Sequence, residues 1–121
     1  MLEHADITEQ VIGASYEVYN VLGYGFLEKV YQRAMQVELQ LRGLKAELEP
    51  KLHVHFKGVN VGDYAADLLV EDVVIVELKT VPSYNPADEA QLINELKGTG
   101  MRVGLLINFG RQKVEFERRV F

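Results

Sequence analysis

The sequence predicts an α/β fold in which helices pack on a mixed β-sheet. In two N-terminal segments, apolar residues recur at three-to-four spacing, which is typical of amphipathic helices. Short apolar runs rich in β-branched residues follow, and such runs favour strands. A segment with helix-start residues then separates two of these runs, which indicates a helical crossover between parallel strands. The predicted order is α-α-β-β-β-α-β-β.

Composition limits the possible classes of protein. With 121 residues, 48% of them hydrophobic, we expect one domain over residues 1–121 that buries its own core. The chain has no cysteine, which excludes thiolate catalysis and disulfide scaffolds and fits a reducing cytoplasm. Neither a signal peptide nor an apolar run long enough for a membrane span is found, so we expect a cytoplasmic protein. A net charge of −5 argues against broad attraction to nucleic acid.

Two helices are predicted first, over residues 7–22 and 26–41. The inward positions of the first are Val11, Ala14, Val18, Val21 and Leu22. Those of the second are Leu27, Val30, Tyr31, Ala34, Glu38 and Leu41. Glu28 lies in the first turn of the second helix, where an acid complements the helix dipole without any further role.

The strands come next. Residues 52–56 alternate strictly, with Leu52, Val54 and Phe56 facing inward. His53 and His55 share the outer face, and two imidazoles without a third ligand are more typical of a polar surface than of a zinc site. After a turn at Lys57-Gly58, further strands are predicted at 64–70, 73–79, 102–108 and 112–120, the last as a charged edge strand.

The third helix begins at Asn85, with Pro86 in its first helical position. Ala90, Ile93 and Leu96 are its predicted inward residues. Because residues 73–79 and 102–108 are nearly all apolar, we expect these two strands to lie in the centre of the sheet. The helix that connects them indicates that the second strand runs parallel to a neighbour.

Three charged residues interrupt the apolar strands 64–70 and 73–79: Asp67, Glu77 and Lys79. A charge inside a strand is costly to bury unless it is paired or bound to a metal. A two-residue turn at Glu71-Asp72 would put Asp67 and Glu77 on opposite faces. A three-residue connection or a bulge pairs Val70 with Val74 and brings Asp67 opposite Glu77. A shared site therefore requires the longer connection; the alternative is an ordinary ion pair between Glu77 and Lys79.

Such a group of residues suits phosphodiester hydrolysis. Clustered carboxylates hold Mg²⁺, which neutralises phosphate oxygens and lowers the pKa of a bound water. We expect Asp67, Glu77 and the backbone carbonyl of Leu78 to hold the ion, and Lys79 to orient or deprotonate the attacking water. Two further residues are predicted from separate helices: Glu28 as a ligand of the metal or of a metal-bound water, and Gln91 as an amide that fixes a water or a phosphate.

The motifs resemble those of a known group of enzymes. Asp67 followed by Glu77-Leu78-Lys79 is similar to the signature of the PD-(D/E)XK nuclease superfamily. Residues 25–31, Gly-Phe-Leu-Glu-Lys-Val-Tyr, are similar to the motif of its GxxExxY family. The resemblance implies a restriction-endonuclease-like sandwich, Mg²⁺ or Mn²⁺ as cofactor, and Asp67, Glu77 and Lys79 as the catalytic set. It also implies that Glu28 is the helix acid and Gln91 the glutamine of the RecB-like branch.

The chain departs from that pattern in three places. RecB-like relatives usually carry a tyrosine four residues after the glutamine, where this chain has Glu95. Asp88 and Ala65 stand where relatives often have a histidine and a larger polar residue. The lost groups are contacts to nucleic acid, not metal ligands.

Two functions remain open on these grounds. The first is a metal-dependent nuclease acting on DNA, on ends or single strands, with a homodimer as one way to form a cleft. The second is a non-catalytic module of the same fold that binds nucleic acid or a partner protein. The enzyme should place some basic residues at the rim of the site, from the set Lys29, Lys51, Lys97, Arg111, Lys113, Arg118 and Arg119. The binding module should instead show an exposed apolar patch.

Overall fold

The three helices occur in the predicted order, and the described residues form seven strands where five were predicted. The computed structural model describes residues 3–82 and 85–121. The helices are α1 (Ala5–Leu22), α2 (Glu28–Leu41) and α3 (Pro86–Thr99). The strands are β1 (Ala46–Leu48), β2 (Lys51–Phe56), β3 (Val59–Ala65), β4 (Leu68–Val70), β5 (Val74–Lys79), β6 (Val103–Phe109) and β7 (Val114–Val120). In the described residues, no helix is long and apolar enough to cross a membrane.

A five-stranded mixed sheet forms the centre of the molecule. Its strand order is β1-β4-β5-β6-β7, and β5 and β6 are parallel while the other pairs are antiparallel. The helix α3 makes the crossover between β5 and β6, as predicted. The predicted mixed sheet, the central position of β5 and β6 and the edge position of β7 are therefore confirmed. The strand β1 was not predicted.

The strand predicted over 64–70 is divided in two, which corrects that prediction. Ala65 still pairs with Lys51 of β2, whereas Leu68 already pairs with Val76 of β5. The chain therefore leaves the separate two-stranded sheet of β2 and β3 and enters the main sheet within two residues. Because β2 and β3 form a hairpin outside the main sheet, Phe56 is 62% exposed and does not face inward as predicted.

Two layers of helices bury the two faces of the main sheet. On one face, α1 and α2 cover Leu68, Val76 and their neighbours, and the ring of Tyr31 stacks on Phe109 with centroids 4.3 Å apart. On the other face, Leu92 of α3 packs over Gly104, where a Cβ atom would lie 2.8 Å from the Leu92 side chain. Glycine at position 104 lets α3 approach the sheet closely. The polar side chains of α3 therefore lie close to the sheet.

Several predicted inward positions of the helices are exposed. Val21, Leu27 and Leu41 are 73%, 79% and 77% exposed. The buried residues of α2 are Tyr31, Gln32, Met35 and Leu39. The helix has apolar residues on two adjacent faces, and only contact with the sheet decides which face is covered. In α3, Ala90 is likewise exposed, and Leu92 lies inward in its place.

Candidate active site

The hairpin between β4 and β5 brings Asp67 beside Glu77. Glu71 and Asp72 both adopt left-handed backbone angles, with φ of 52° and 61°, and the N–H of Val73 donates to the carbonyl of Val70. Val70 then pairs with Val74 and Leu68 with Val76, so the next position along places Asp67 opposite Glu77. The register that a shared site requires is therefore confirmed.

Hydrogen bonds connect the two acidic residues directly. The backbone N–H of Asp67 donates to Oε1 of Glu77 at 2.9 Å, and the N–H of Leu78 donates to Oδ2 of Asp67 at 2.7 Å. The N–H and C=O groups of one strand residue point to the same edge, so the carbonyl of Leu78 also faces Asp67. Three oxygen-bearing groups predicted as metal ligands thus lie together at the start of β4.

The backbone of Asp67 is held in place from two sides. Its carbonyl accepts a hydrogen bond from the side chain of Gln32 at 2.9 Å and another from the N–H of Glu49 at 3.1 Å. Gln32 is only 7% exposed. It lies one helical turn after Glu28 on α2, so the same face of α2 carries both residues. Sequence reasoning missed Gln32, although this spacing from Glu28 was visible.

The carboxylate of Glu77 is the most strongly perturbed acid in the site. Burial raises its pKa to about 8, and repulsion from Glu95 and Asp67 contributes to the increase. Hydrogen bonds from the Tyr64 hydroxyl to Oε2 and from the Asp67 N–H to Oε1 act in the opposite direction. Since both oxygens accept hydrogen bonds, the orientation of this carboxylate is well defined.

The other acids of the site are also shifted, and for the same reason. Burial raises the pKa of Asp67, while the N–H of Leu78 and the charge of Lys79 partly offset that effect. Partial desolvation also raises the pKa of Glu28, although this residue is exposed, and the charge of Asp67 contributes further. The pKa of Glu95 is raised by burial as well. Clustered carboxylates with raised pKa values mark a region of uncompensated negative charge.

Lys79 supplies positive charge to this cluster. It follows Glu77 by two residues on β5 and shares its face of the sheet. Its ammonium group lies 3.8 Å from Oδ1 of Asp88, in the first turn of α3, and its charge lowers the pKa values of Asp67, Glu28 and Glu95. The ordinary ion pair between Glu77 and Lys79 is not formed, because Glu77 is bound to Tyr64 and Asp67 instead.

The two predicted helix residues reach the site to different extents. Glu28 lies close enough for Asp67, Lys79 and Asp88 to influence its pKa, so α2 delivers it to the cluster. Gln91 is exposed, and its amide donates to Oε1 of Glu95 at 3.1 Å. Gln91 thus joins the cluster through Glu95, without a hydrogen bond to Asp67 or Glu77.

Tyr64 and Glu95 complete the cluster, and sequence reasoning did not assign them a role. The hydroxyl of Tyr64 donates to Glu77, and the carboxylates of Glu77 and Glu95 both add to the effect of burial in raising its pKa. Glu95 is 8% exposed, although it follows Gln91 by one helical turn. No short motif links Tyr64, Glu77 and Glu95, since β3, β5 and α3 meet only in the folded chain.

The histidine pair on β2 is a polar surface. Nδ1 of His53 lies 2.7 Å from Oδ1 of Asp63 and 3.1 Å from the side chain of Asn60, all of them exposed on the hairpin. These partners are hydrogen-bonding groups of the neighbouring strand β3 and its turn, as expected for a solvated face.

A basic cavity continues from the end of β5. In the parallel register of β5 and β6, Lys79 lies opposite Asn108. The side chain of Asn108 donates a hydrogen bond to the carbonyl of Val81 and accepts one from its N–H. Just beyond lies a cavity of about 350 Å³. Its lining residues are Pro82, Gly110, Arg111, Gln112, Lys113 and Glu115. Two of the seven basic residues expected near the rim, Arg111 and Lys113, therefore lie at this end of the sheet.

Arg111 is oriented by aromatic residues from α1 and the loop before α2. The hydroxyl of Tyr19 donates to the carbonyls of Gly110 and Arg111, at 2.6 and 3.0 Å. The guanidinium group of Arg111 lies 5.8 Å from the centre of the Tyr24 ring. Such a contact stabilises a cation above an aromatic face and leaves its N–H groups free to bind an anion.

Comparison with known proteins identifies the family. The sequence profile of the PD-(D/E)XK nuclease superfamily matches residues 5–120. The chain belongs to this superfamily. The superfamily is one of nucleases, and its enzymes generally use divalent metal ions. No curated protein matches the sequence.

Two solved structures resemble this PD-(D/E)XK chain. The first, SSO0001, has a TM-score of 0.59 and 15% identity, over 96% of this chain and 58% of its own. This chain therefore spans less than two-thirds of SSO0001, and the likeness concerns the fold. The second is the alkaline exonuclease LHK-Exo from Laribacter hongkongensis, with a TM-score of 0.48 and 11% identity, over 99% of this chain and 72% of its own. The predicted PD-(D/E)XK sandwich is confirmed by the family match and the architecture.

The donor atoms of the site suit a hard divalent cation. Asp67, Glu77 and the Leu78 carbonyl are all oxygen ligands, and Mg²⁺ is commonly bound by one or two carboxylates while it keeps several waters. Within residues 3–82 and 85–121, no group of three or more acidic or histidine side chains is arranged to hold a metal. The fit to a metal ion therefore rests on two carboxylates and a carbonyl. It also rests on the negative charge of the acidic cluster, which Lys79 compensates only in part.

Proposed function

We propose that this chain is a divalent-metal-dependent nuclease that hydrolyses phosphodiester bonds in DNA. Mg²⁺ or Mn²⁺ is the proposed cofactor, and the GxxExxY family of the RecB-like branch is the proposed place within the superfamily. Ends or single strands are the proposed substrates. The observation that carries the proposal is the register of β4 and β5, which joins Asp67 to Glu77 with Lys79 on the same face.

Each residue has a distinct proposed task. Asp67, Glu77 and the Leu78 carbonyl would hold the cation, which when bound activates a water and neutralises phosphate charge. Lys79, whose ammonium group is partly exposed, would orient the attacking water and stabilise charge that develops on the phosphate. Glu28 would bind a water of the cation from the α2 side. Gln91 would fix a water or phosphate at the opening of the site.

The basic cavity would guide the substrate strand, and this leads to a prediction about binding. Replacing Arg111 and Lys113 together by glutamine should weaken the binding of a single-stranded oligonucleotide by about tenfold at moderate salt. The slope of log affinity against log salt should fall by about 1.4, since each lost phosphate contact removes about 0.7. Fluorescence anisotropy in a Lys79→Ala background measures binding without cleavage.

The matched control for that experiment is Lys45→Gln. Lys45 is exposed and pairs with Asp72 at the opposite end of β5. Unchanged affinity and salt slope in the Arg111 and Lys113 variant, or an equal loss in the Lys45 variant, would show that the cavity does not contact the strand.

The proposed activity is tested by digestion of labelled DNA. Purified protein is incubated with single- and double-stranded DNA carrying either a free or a blocked end, with Mg²⁺, with Mn²⁺ and with a chelator. We expect cleavage that requires a divalent ion and disappears with the chelator. Absence of cleavage of every substrate, RNA included, would reject the proposed activity.

An exposed apolar surface favours a second candidate function. Val21 of α1 is 73% exposed and Val37 of α2 is 48% exposed. Both residues line a groove of about 250 Å³ between these helices. Such a surface is typical of protein–protein contacts. In this alternative the chain is a nuclease-fold module that binds a partner protein, and it would lack activity in the digestion experiment.

A further inference from the structure

Tyr64 lies between two buried carboxylates that belong to different elements. Its hydroxyl donates to Oε2 of Glu77 on β5. The carboxylate of Glu95 on α3 also lies within hydrogen-bonding reach of this hydroxyl, and both that interaction and the charge of Glu95 raise the pKa of Tyr64. Tyr64 itself belongs to β3, in the hairpin outside the main sheet. Three separate elements therefore meet at one hydroxyl group.

The hydrogen bonds of Glu77 conflict with its proposed task as a metal ligand. Oε1 accepts the N–H of Asp67, and Oε2 accepts the hydroxyl of Tyr64. A cation that binds Glu77 through Oε2 competes with the Tyr64 hydroxyl for the lone pairs of that oxygen. A hydroxyl that leaves Oε2 needs another acceptor, because nearly all buried polar atoms are hydrogen-bonded.

Glu95 offers that acceptor. In the described part of the chain, its Oε2 atom is buried and has no hydrogen-bond partner, whereas Oε1 is held by Gln91. An unpartnered carboxylate oxygen in a buried position is unusual, since nearly all buried polar atoms are hydrogen-bonded. Leu92 and Leu96 anchor this part of α3 in the core, so the position of Glu95 is fixed.

We propose that Glu95 is a positioning residue that accepts the Tyr64 hydroxyl when Glu77 turns to the cation. Tyr64 donates to Glu77 while the site holds no ion and to Glu95 Oε2 when an ion is bound. This inference rests on the proposed metal site. It gives a role to the unpartnered oxygen of Glu95 and explains why the cluster includes an acid that does not contact Asp67. Glu95 acts through Tyr64 and does not itself bind the cation.

The test is a double-mutant cycle on Mn²⁺ affinity, measured by electron paramagnetic resonance of the free ion. The variants are Tyr64→Phe, Glu95→Leu and the pair combined. Glu95→Leu alone should weaken Mn²⁺ binding by about tenfold, because the Tyr64 hydroxyl of the metal-bound protein then has no acceptor. This effect adds to any effect of the lost charge of Glu95. Tyr64→Phe alone should change the Mn²⁺ affinity by less than about threefold, because it removes one hydrogen bond from the metal-free protein and one from the metal-bound protein. In the Tyr64→Phe background, Glu95→Leu should lose that tenfold effect.

The cycle separates the possible outcomes. Glu95→Leu removes the same charge in both backgrounds, so only the part transmitted through Tyr64 differs between them. An equal loss in both backgrounds, or no loss in either, would overturn the positioning role while leaving the metal site intact. Parent protein that binds no Mn²⁺ would overturn the metal site and the positioning role together. Circular dichroism and thermal unfolding identify any variant that fails to fold, and Glu95→Met, which also lacks an acceptor oxygen, then replaces Glu95→Leu in the cycle.

Discussion

Lys79→Ala is expected to lower the rate of metal-dependent DNA cleavage by about 10²–10⁴-fold, the usual contribution of a positioned acid–base group. The physical reason is its position: Lys79 follows Glu77 on the same face of β5 and is the cation next to three acids of the cluster. The rate is measured with labelled DNA at saturating Mg²⁺. Because Lys79 is partly exposed, its removal should change the free energy of unfolding by less than about 1 kcal/mol.

The matched control is Lys45→Ala, which removes an exposed lysine from the opposite end of β5. It should leave the cleavage rate within about twofold of the parent. In the same series, Asp67→Asn and Glu77→Gln should reduce both cleavage and Mn²⁺ affinity, whereas Lys79→Ala should reduce cleavage alone. Cleavage that survives in all three variants would place the activity at a different site or in a contaminant.

The metal-free protein is expected to lose stability as the pH rises from about 5 to 9, and Glu77→Gln should reduce this loss. The folded-state pKa of Glu77 is about 8, against an ordinary value of 4.5. Between those values the folded state binds more protons than the unfolded state, so the free energy of unfolding falls with increasing pH. The full contribution is present below pH 4.5 and is lost above pH 8, and it amounts to a few kcal/mol.

Thermal unfolding of parent and Glu77→Gln in a chelator, at several pH values, measures this effect. The two should be about equally stable near pH 5, and the variant should melt at least about 5 °C higher near pH 9. Glu9→Gln, an exposed substitution on α1, is the control and should follow the parent. Saturating Mg²⁺ should restore the parent at high pH, because the cation compensates the ionised carboxylate. Parallel curves for parent and Glu77→Gln would contradict a buried, proton-binding Glu77.

Much of the fold could be predicted because local patterns dictate it. Asn85 and Pro86 begin α3 as expected, and the Asn85 side chain accepts the N–H of Ala87. The continuous apolar runs of β5 and β6 are buried in parallel at the centre of the sheet. The register that a shared site requires in the β4–β5 hairpin could also be stated in advance, because strand side chains alternate strictly and only one class of connection places two given residues side by side.

Other features could not be predicted, because they depend on which surfaces meet. Leu41 of α2 and Leu27, which directly precedes this helix, are as apolar as the buried residues Met35 and Leu39, yet they are exposed. The strand predicted over 64–70 changes sheets at residues 66–67, although nothing in its hydrophobic pattern marks that point.

The chain sequence by itself determined the charged residues Asp67, Glu77 and Lys79, the register condition under which Asp67 and Glu77 share a face, and the resemblance to a nuclease superfamily; the structure decided that this register forms. Only the tertiary structure decided that Tyr64 and Glu95 join them, and that Glu77 is buried enough for its pKa to reach about 8. The physical reason is the separation along the sequence over which each interaction acts. Periodicity and hairpin geometry act over a few residues, whereas the hydrogen bond from Tyr64 to Glu77 and the proximity of Glu95 require β3, β5 and α3 to pack together.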